Sequence, residues 1–370
     1  HCDREGVLVW QDMPSADNGT PESTLQFATE LDGVVLALRN HPSIVMWVPF
    51  NEGWGQHETE SHVARLREAD PTRLVNNASG WTDEGVGDVL DIHRYPGPGA
   101  PHPQELHGRI AVLGEFGGLG LPLAGHTWVE EDNWGYRSNE SMAELNRAYE
   151  DLLTQLRPLI GEGVAAAVYT QTTDVEVEVN GIMTYDREIV KLGERTQGIH
   201  RALHDPPPRL RPVVPTSRDA GQPWRYTTDD PGQGWHEPAF EDQDWTLGMA
   251  GFGTEGTPGA AVRTTWDTPE IWIRRSFSLT DEAHSDLLDA RIFLRVHHDE
   301  DAEIYLNGEL VAEMEGYSTG YRLLSLPDET ASQLKAGENT IAVHVQQTGG
   351  GQYIDVGIVE WIEVLGGSLP

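Results

Sequence analysis

Six short apolar runs punctuate the first 200 residues: Val7–Trp10, Ile44–Phe50, Arg73–Ser79, Val89–Tyr95, Ile110–Phe116 and Ala165–Gln171. A strand with one wet face alternates apolar and polar residues, so unbroken runs belong to strands buried on both faces. Helical periodicity fills the gaps between them. Ser23–Asn40 carries Leu25, Leu31, Val34, Val35 and Leu38 at helical spacing and stops before His41-Pro42. Glu58–Glu68 and Met142–Leu156 read as further helices, the second with Ala143, Leu145, Tyr149, Leu152 and Leu156 on one face. Strands and helices alternating at this interval call for a parallel sheet, either doubly wound or rolled into a barrel.

The texture changes after residue 203. His204–Thr216 holds five prolines in 13 positions, and residues 204–217 read as a stiff linker. Beyond it lie short alternating segments: Ile271–Leu279, Arg291–Val296, Glu303–Leu306, Glu309–Glu313, Tyr321–Leu326 and Thr340–Gln346. Asn307-Gly308 joins two of them as a hairpin turn. The expected organisation is an α/β barrel-like domain over 1–203 and an all-β sandwich over 218–370.

Sixty acidic residues against 25 basic ones give a formal charge of −35, and only Lys191 and Lys335 are lysines. The excess is spread over both halves. It suits a surface kept in high salt, where a short Debye length screens the repulsion. With nothing basic clustered, a nucleic acid is not an expected partner. No stretch approaches the roughly 18–20 apolar residues of a membrane span, and the single cysteine, Cys2, excludes an intrachain disulfide. No signal peptide is visible, and a chain opening on His1 gives no reading of its compartment.

In parallel α/β architectures function gathers at the C-terminal strand ends. Those ends carry Gln11 and Asp12, then Asn51, Glu52 and Trp54, then His93 and Tyr95, then Glu115, then Gln171. Glu52 and Glu115 each lie among apolar or small neighbours, where an unpaired carboxylate costs several kcal/mol. One such Glu is explained by an Arg partner. Two, on separate strands, suggest the carboxyl pair of a glycoside hydrolase, with Asn51, His93, Tyr95 and Gln171 for sugar hydroxyls and Trp54 and Trp81 for ring faces.

The same residues carry a resemblance. HPSIVMWVPFNEGWG (His41–Gly55) resembles the fourth barrel strand of glycoside hydrolase family two, VLGEFGG (Val112–Gly118) the seventh, VLVWQDMP (Val7–Pro14) the third and DIHRYPGP (Asp91–Pro98) the sixth. Tyr169–Arg187 resembles the eighth strand and its exit in the β-galactosidase/β-glucuronidase branch. The likeness covers about residues 1–195. It implies a partial TIM (β/α)8 barrel lacking its first two strands, with Asn51 as a sugar-binding residue, Glu52 as acid/base, Glu115 as nucleophile and Tyr95 orienting it. IWIRRSFSL (Ile271–Leu279) and HDEDAEIYLNG (His298–Gly308) resemble a galactose-binding-like jelly roll.

The resulting expectation is a retaining β-glycosidase of β-galactosidase-like, exo-acting type. Its catalytic pair is Glu52 and Glu115, and its substrate-binding residues are Asn51, Trp54, His93, Tyr95, Gln171 and Asp12. No metal and no cofactor are expected. The partners are a β-linked glycoside and the N-terminal part of the same protein, with no membrane. The alternatives are a β-glucuronidase or β-mannosidase of that family, or a non-catalytic carbohydrate-binding protein. Arg94 is the candidate cation for a glucuronide. His297-His298-Asp299-Glu300-Asp301 reads as a surface loop.

Overall fold

The computed structural model describes residues 1–326 and 333–364, with only the backbone of Gln197. The chain divides into two compact units at His204/Asp205. The first runs α1 (Cys2–Glu5), β1 (Val9–Asp12), α2 (Pro21–Leu38), β2 (Ile44–Val48), α3 (Thr59–Ala69), β3 (Leu74–Val75), β4 (Val89–Arg94), β5 (Ile110–Gly117), β6 (Leu119–Gly120), β7 (Arg137–Ser138), α4 (Met142–Gly161), β8 (Val164–Thr170) and α5 (Thr196–Ala202).

The helices start where local chemistry says they should. Thr20 caps α2 by accepting from the Ser23 N–H, Ser23 returns the bond, and Pro21 occupies the first turn. Phe27, Leu31 and Val35 then form its buried stripe. Ser141 caps α4, whose buried face includes Leu145, Tyr149, Leu152 and Leu156. This helix runs past the expected end at Leu156, through Pro158 to Gly161. Proline forfeits one N–H there, while Leu159 and Ile160 still pack on the core.

β1, β2 and β3 pair in parallel, as do β4, β5 and β8, and short bridges at Asn51–Ser79 and Asn76–Gly87 link neighbouring runs. One face of this arc is a layer of Met46, Val48, Val89 and Val112, with Trp10 and Ala166 against it. The other face packs on helices: Ile44, Trp47 and Val75 with α2 and α3, and Leu113 and Val164 with α4. The unbroken apolar runs thus follow from burial on both sides.

The arc is not a closed barrel. Among the described residues β1 pairs only with β2, and β8 only with β5. Val7, Leu8 and Val168 near these edges are exposed. Open apolar edges template further pairing. The chain alone is therefore expected to self-associate, or to bind a polypeptide that adds strands to β1 and β8. Analytical ultracentrifugation checks this, and a stable monomer with no exposed-apolar dye binding would contradict it. No described helix is long and apolar enough to cross a membrane.

The second unit runs β9 (Arg209–Val214), β10 (Pro223–Thr227), β11 (Thr246–Met249), β12 (Phe252–Gly253), β13 (Thr264–Thr265), β14 (Glu270–Leu279), α6 (Asp281–Leu287), β15 (Arg291–Asp299), β16 (Asp301–Leu306), β17 (Glu309–Met314), β18 (Arg322–Ser325), β19 (Gly337–Gln346) and β20 (Tyr353–Ile362). One sheet has the order β11-β10-β14-β19-β16-β17; the other has β13-β12-β20-β15-β18, with β9 also on β20. Ile273, Ile304 and Val343 from the first sheet and Leu294, Val296, Ile354 and Val356 from the second share one core. Asn307 and Gly308 both take positive φ at the β16–β17 hairpin, the backbone that an Asn-Gly turn favours.

Two expectations need correction here. Within the expected linker 204–217, Arg209–Val214 is a strand paired with β20. Pro212 is tolerated because β9 is an edge strand, bonded on one side only. His297, His298 and Asp299 are not a surface loop: they end β15 and are buried, and burial pushes the Asp299 carboxyl up to about 6.

Candidate active site

Parallel pairing puts the C-terminal ends of β1, β2, β4 and β5 at one rim. Along β4 alternate side chains share a face. Asp91, His93 and Tyr95 follow Val89 on the inner face, while Ile92 and Arg94 take the outer one. Arg94 instead reaches the His93 carbonyl and feels Glu105. It therefore faces away from Glu52 and Glu115.

Simple alternation along β5 would put Glu115 outside with Leu113. The register shift between Ile92 and His93, with Ile92 opposite Leu113 and His93 opposite Glu115, makes Gly114 an extra residue. This bulge turns Glu115 inward. Only glycine fits at 114, because a Cβ there would collide with both Asp91 carboxylate oxygens. Glu52, just past β2, is aimed by its own backbone, at φ 55. That left-handed conformation costs a non-glycine residue roughly 1–2 kcal/mol, and the Glu52 N–H is anchored on the Ser79 carbonyl at 2.8 Å.

The two carboxylates meet at His93. Its Nδ1 lies 2.7 Å from Glu52 Oε1 and 3.3 Å from Glu115 Oε2, and its side chain is fully buried. One oxygen from each Glu and the His93 nitrogen lie within 4.8 Å of one another. The Tyr95 hydroxyl donates to Glu115 Oε2, and the Tyr95 ring stacks on Tyr136 with centroids 3.7 Å apart. Burial raises the pKa of Glu115, and the Glu52 and Asp91 charges add to it; the bond from Tyr95 and the charge of His93 oppose them. Burial and the Glu115 bond also raise the Tyr95 phenol. Asp12, at the end of β1, keeps part of its surface in water. Its carboxyl is still pushed up to about 7, first by desolvation and then by the Asp91 and Glu115 charges.

The other sequence candidates divide. Asn51 bridges to Ser79, and its Oδ1 is buried without a hydrogen-bond partner among the described residues. Trp81 meets the His93 ring edge-on at 6.0 Å. Gln171 is tied instead to Asn180, 2.7 Å from its Nε2. Trp54 is 64% exposed and outside this network. Sequence reading missed Asp91, Ser79 and Tyr136. Asp91 stands two residues before His93 on the same strand face, a signal that was there to be read; nothing local marks Tyr136. His126, Asp186 and Glu188 form a separate surface group, in which His126 Nδ1 lies 2.8 Å from Asp186 Oδ2.

The Tyr95 bond gives a test with a sign. It lowers the Glu115 pKa, because a hydrogen bond to the charged form favours that form. In Tyr95→Phe the acid limb of any Glu115-dependent pH–rate profile should move to higher pH. A profile unchanged in its acid limb would show that the bond does not tune Glu115.

Residues 2–109 match the family model for the TIM barrel domain of glycosyl hydrolases family 2. This stretch is similar to the barrel domain of that family. The match takes in Asn51, Glu52, His93 and Tyr95, and ends short of Glu115. Solved structures similar to the chain include a Bacteroides uniformis β-glucuronidase, at 21% identity over 41% of this chain and 18% of that one, with a TM-score of 0.29. A β-glycosidase from Bacteroides vulgatus shows 15% identity over 40% and 20%, at 0.26. A β-glucuronidase from an uncultured Clostridium sp. shows 15% over 41% and 29%, at 0.28. The chain thus spans less than a third of the length of these structures. No curated protein matches it.

Proposed function

We propose that the first unit carries the catalytic pair of a retaining β-glycosidase. The observation that carries this reading is the convergence of Glu52 and Glu115 on His93, with oxygens within 4.8 Å. Retaining pairs stand about 5–5.5 Å apart, whereas inverting pairs leave about 6.5–9.5 Å for a water. Glu115 attacks the anomeric carbon while Glu52 gives its proton to the leaving oxygen. A glycosyl ester forms on Glu115; Glu52 then takes a proton from water, which releases the sugar with its configuration kept. Tyr95 holds the attacking carboxylate. Asn51, with an unpartnered Oδ1, accepts from the sugar 2-hydroxyl.

The sugar is a β-galactoside in this reading. A glucuronide carboxylate wants a cation, and Arg94, the candidate for it, occupies the outer face of β4. The partners of the unit are the glycoside and the strands that β1 and β8 take up. The second unit, with two sheets on one core, fits the galactose-binding-like jelly roll.

Aryl β-galactoside, β-glucuronide and β-mannoside offered to the full chain test the substrate, and NMR of the first-formed anomer tests retention. Hydrolysis of the glucuronide alone would overturn the galactoside reading. No hydrolysis by folded chain, with sugar binding intact, would favour the non-catalytic carbohydrate-binding protein. The acidic surface adds a further expectation: the thermal midpoint should rise from low to molar KCl as repulsion is screened. A flat trend would mean the composition is not an adaptation to salt.

A further inference from the structure

Behind the carboxylate pair lies a buried relay that the glycosidase reading does not use. We infer that Asp91, acting through Ser79, fixes the hydrogen of His93 on Nε2, so that Nδ1 alone shares a proton with Glu52 and Glu115. Asp91 and Ser79 are thereby positioning residues. The consequence for catalysis rests on the proposed glycosidase function; the tautomer itself does not.

Hydrogen-bond counting carries the inference. Asp91 is 2% exposed. Its Oδ1 accepts from the Gly114 N–H at 2.7 Å, and its Oδ2 accepts from Asn76 Nδ2 at 2.7 Å and from Ser79 Oγ at 2.9 Å. A backbone amide and a side-chain amide nitrogen can only donate, so the Asp91 carboxyl is an acceptor on both oxygens. Burial raises the Asp91 pKa, and the bonds from Ser79, Asn76 and Gly114 oppose it and favour the carboxylate, to which Ser79 donates its one hydroxyl hydrogen. The Ser79 oxygen is left to accept, and the group that approaches it is His93 Nε2, at 2.8 Å. Nε2 must therefore carry a hydrogen.

Across the ring, Nδ1 meets Glu52 Oε1 and Glu115 Oε2. The short contact to Glu52 needs one proton. It sits on Nδ1, giving an imidazolium between two carboxylates, or on Glu52 Oε1 beside a neutral imidazole. Nε2–H is the same in both. The other titratable groups around the ring are Asp12, whose carboxyl feels the His93 charge, and Tyr95, which donates to Glu115. Gly80 admits the ring, since a Cβ there would lie 2.9 Å from Nδ1. With one Glu52 oxygen held by His93, the other is free to serve the leaving group.

Asp91→Asn tests the relay with little change in shape. The new carbonyl oxygen stays opposite the Gly114 N–H, so the new amide nitrogen faces Ser79 and Asn76. Asn76 can accommodate it by turning its own buried, unpartnered Oδ1 toward the new donor. Ser79 then accepts from that amide and donates to His93 Nε2, which must give up its hydrogen, leaving the hydrogen on Nδ1. The measurement is 15N NMR of the full chain with labelled histidine, with His93 assigned by loss of its signals in His93→Gln. In the wild type Nε2 should carry the hydrogen, as its contact with the Ser79 oxygen requires. In Asp91→Asn the hydrogen should move to Nδ1. In Ser79→Ala both tautomers should be populated. A wild-type His93 with bare Nε2, or variants that keep the wild-type tautomer, would overturn the inference.

Kinetics on an aryl β-galactoside add a second readout. Asp91→Asn should lower kcat by about 10²-fold or more, with KM little changed, because the acid–base contact loses its proton arrangement. Unchanged kcat alongside a switched tautomer would overturn the positioning role. Expected tautomers in a folded chain that hydrolyses no glycoside would defeat the glycosidase reading and leave the tautomer assignment standing.

Discussion

Glu115→Gln is expected to abolish turnover of an aryl β-glycoside, and Glu52→Gln to accumulate the intermediate that Glu115→Gln can never form. The two variants separate the roles because an aryl leaving group with a low pKa needs no proton. In Glu52→Gln the first step then still proceeds, and Glu115 becomes glycosylated. The second step needs a base for water and falls by about 10²–10⁴-fold, the usual loss for general acid–base catalysis. Mass spectrometry of the quenched Glu52→Gln chain should therefore show a glycosyl adduct on the peptide holding Glu115. In Glu115→Gln no ester forms, and the loss should be at least as large. The amide keeps the volume of the carboxyl and an acceptor for Tyr95, so folding is not the variable. Residual turnover within tenfold of wild type would remove Glu115 from the nucleophile role. An adduct on Asp12 would move that role to β1.

The sequence carried much of the first unit because burial on both faces leaves an unmistakable mark. The runs at Ile44–Phe50, Val89–Tyr95 and Ile110–Phe116 contain β2, β4 and most of β5, and the polar residues at their ends reach one rim. What pattern reading lacked was phase. Alternation along β5 places Glu115 outside, and the Gly114 bulge that reverses it shows only in the pairing with β4. A GEF triplet gives a glycine, not a register. Glu52 likewise faces the site through a left-handed backbone that no hydrophobic period encodes. Asp91 was passed over because a buried carboxylate inside a strand reads as an anomaly until its three donors are known. Tyr136 comes from a distant loop and reaches the site only by stacking on Tyr95. Gln171 shows the reverse failure: strand-end position alone nominated it, and its amide is held by Asn180. In the second unit, prolines at 206–208, 212 and 215 imitate a linker, yet an edge strand needs bonds on one side only, so β9 survives them.

Lys191 is one of two lysines in a chain of 370 residues, and it is fully buried. A chain that has nearly abandoned lysine keeps this one for a reason visible in its contacts. Its Nζ donates to both oxygens of Asp174, at 2.8 and 2.9 Å, and to the Val179 carbonyl at 3.0 Å, so all three hydrogens are used. Asp174 Oδ1 also accepts the Gly181 N–H at 2.8 Å, which folds the segment after β8 onto itself. Burial pushes the Asp174 pKa up and the Lys191 pKa down, and each partner pulls the other back. Lys191→Met should therefore strand a buried carboxylate and cost about 3–5 kcal/mol, or roughly 6–20 °C in melting temperature for a unit of this size. The pH dependence has a definite sign. Without Lys191 the folded-state pKa of Asp174 lies further above its unfolded value, so the folded variant binds the extra proton. Its deficit against wild type should shrink as pH falls and grow as pH rises through that folded pKa. Adding Asp174→Asn removes the charge while keeping an acceptor for Gly181, and should recover most of the loss. Melting curves of wild type, Lys191→Met and the double variant at pH 5 and pH 8 decide it. A deficit independent of pH, or a double variant no more stable than the single one, would mean that the lysine acts through packing and not by holding the Asp174 charge.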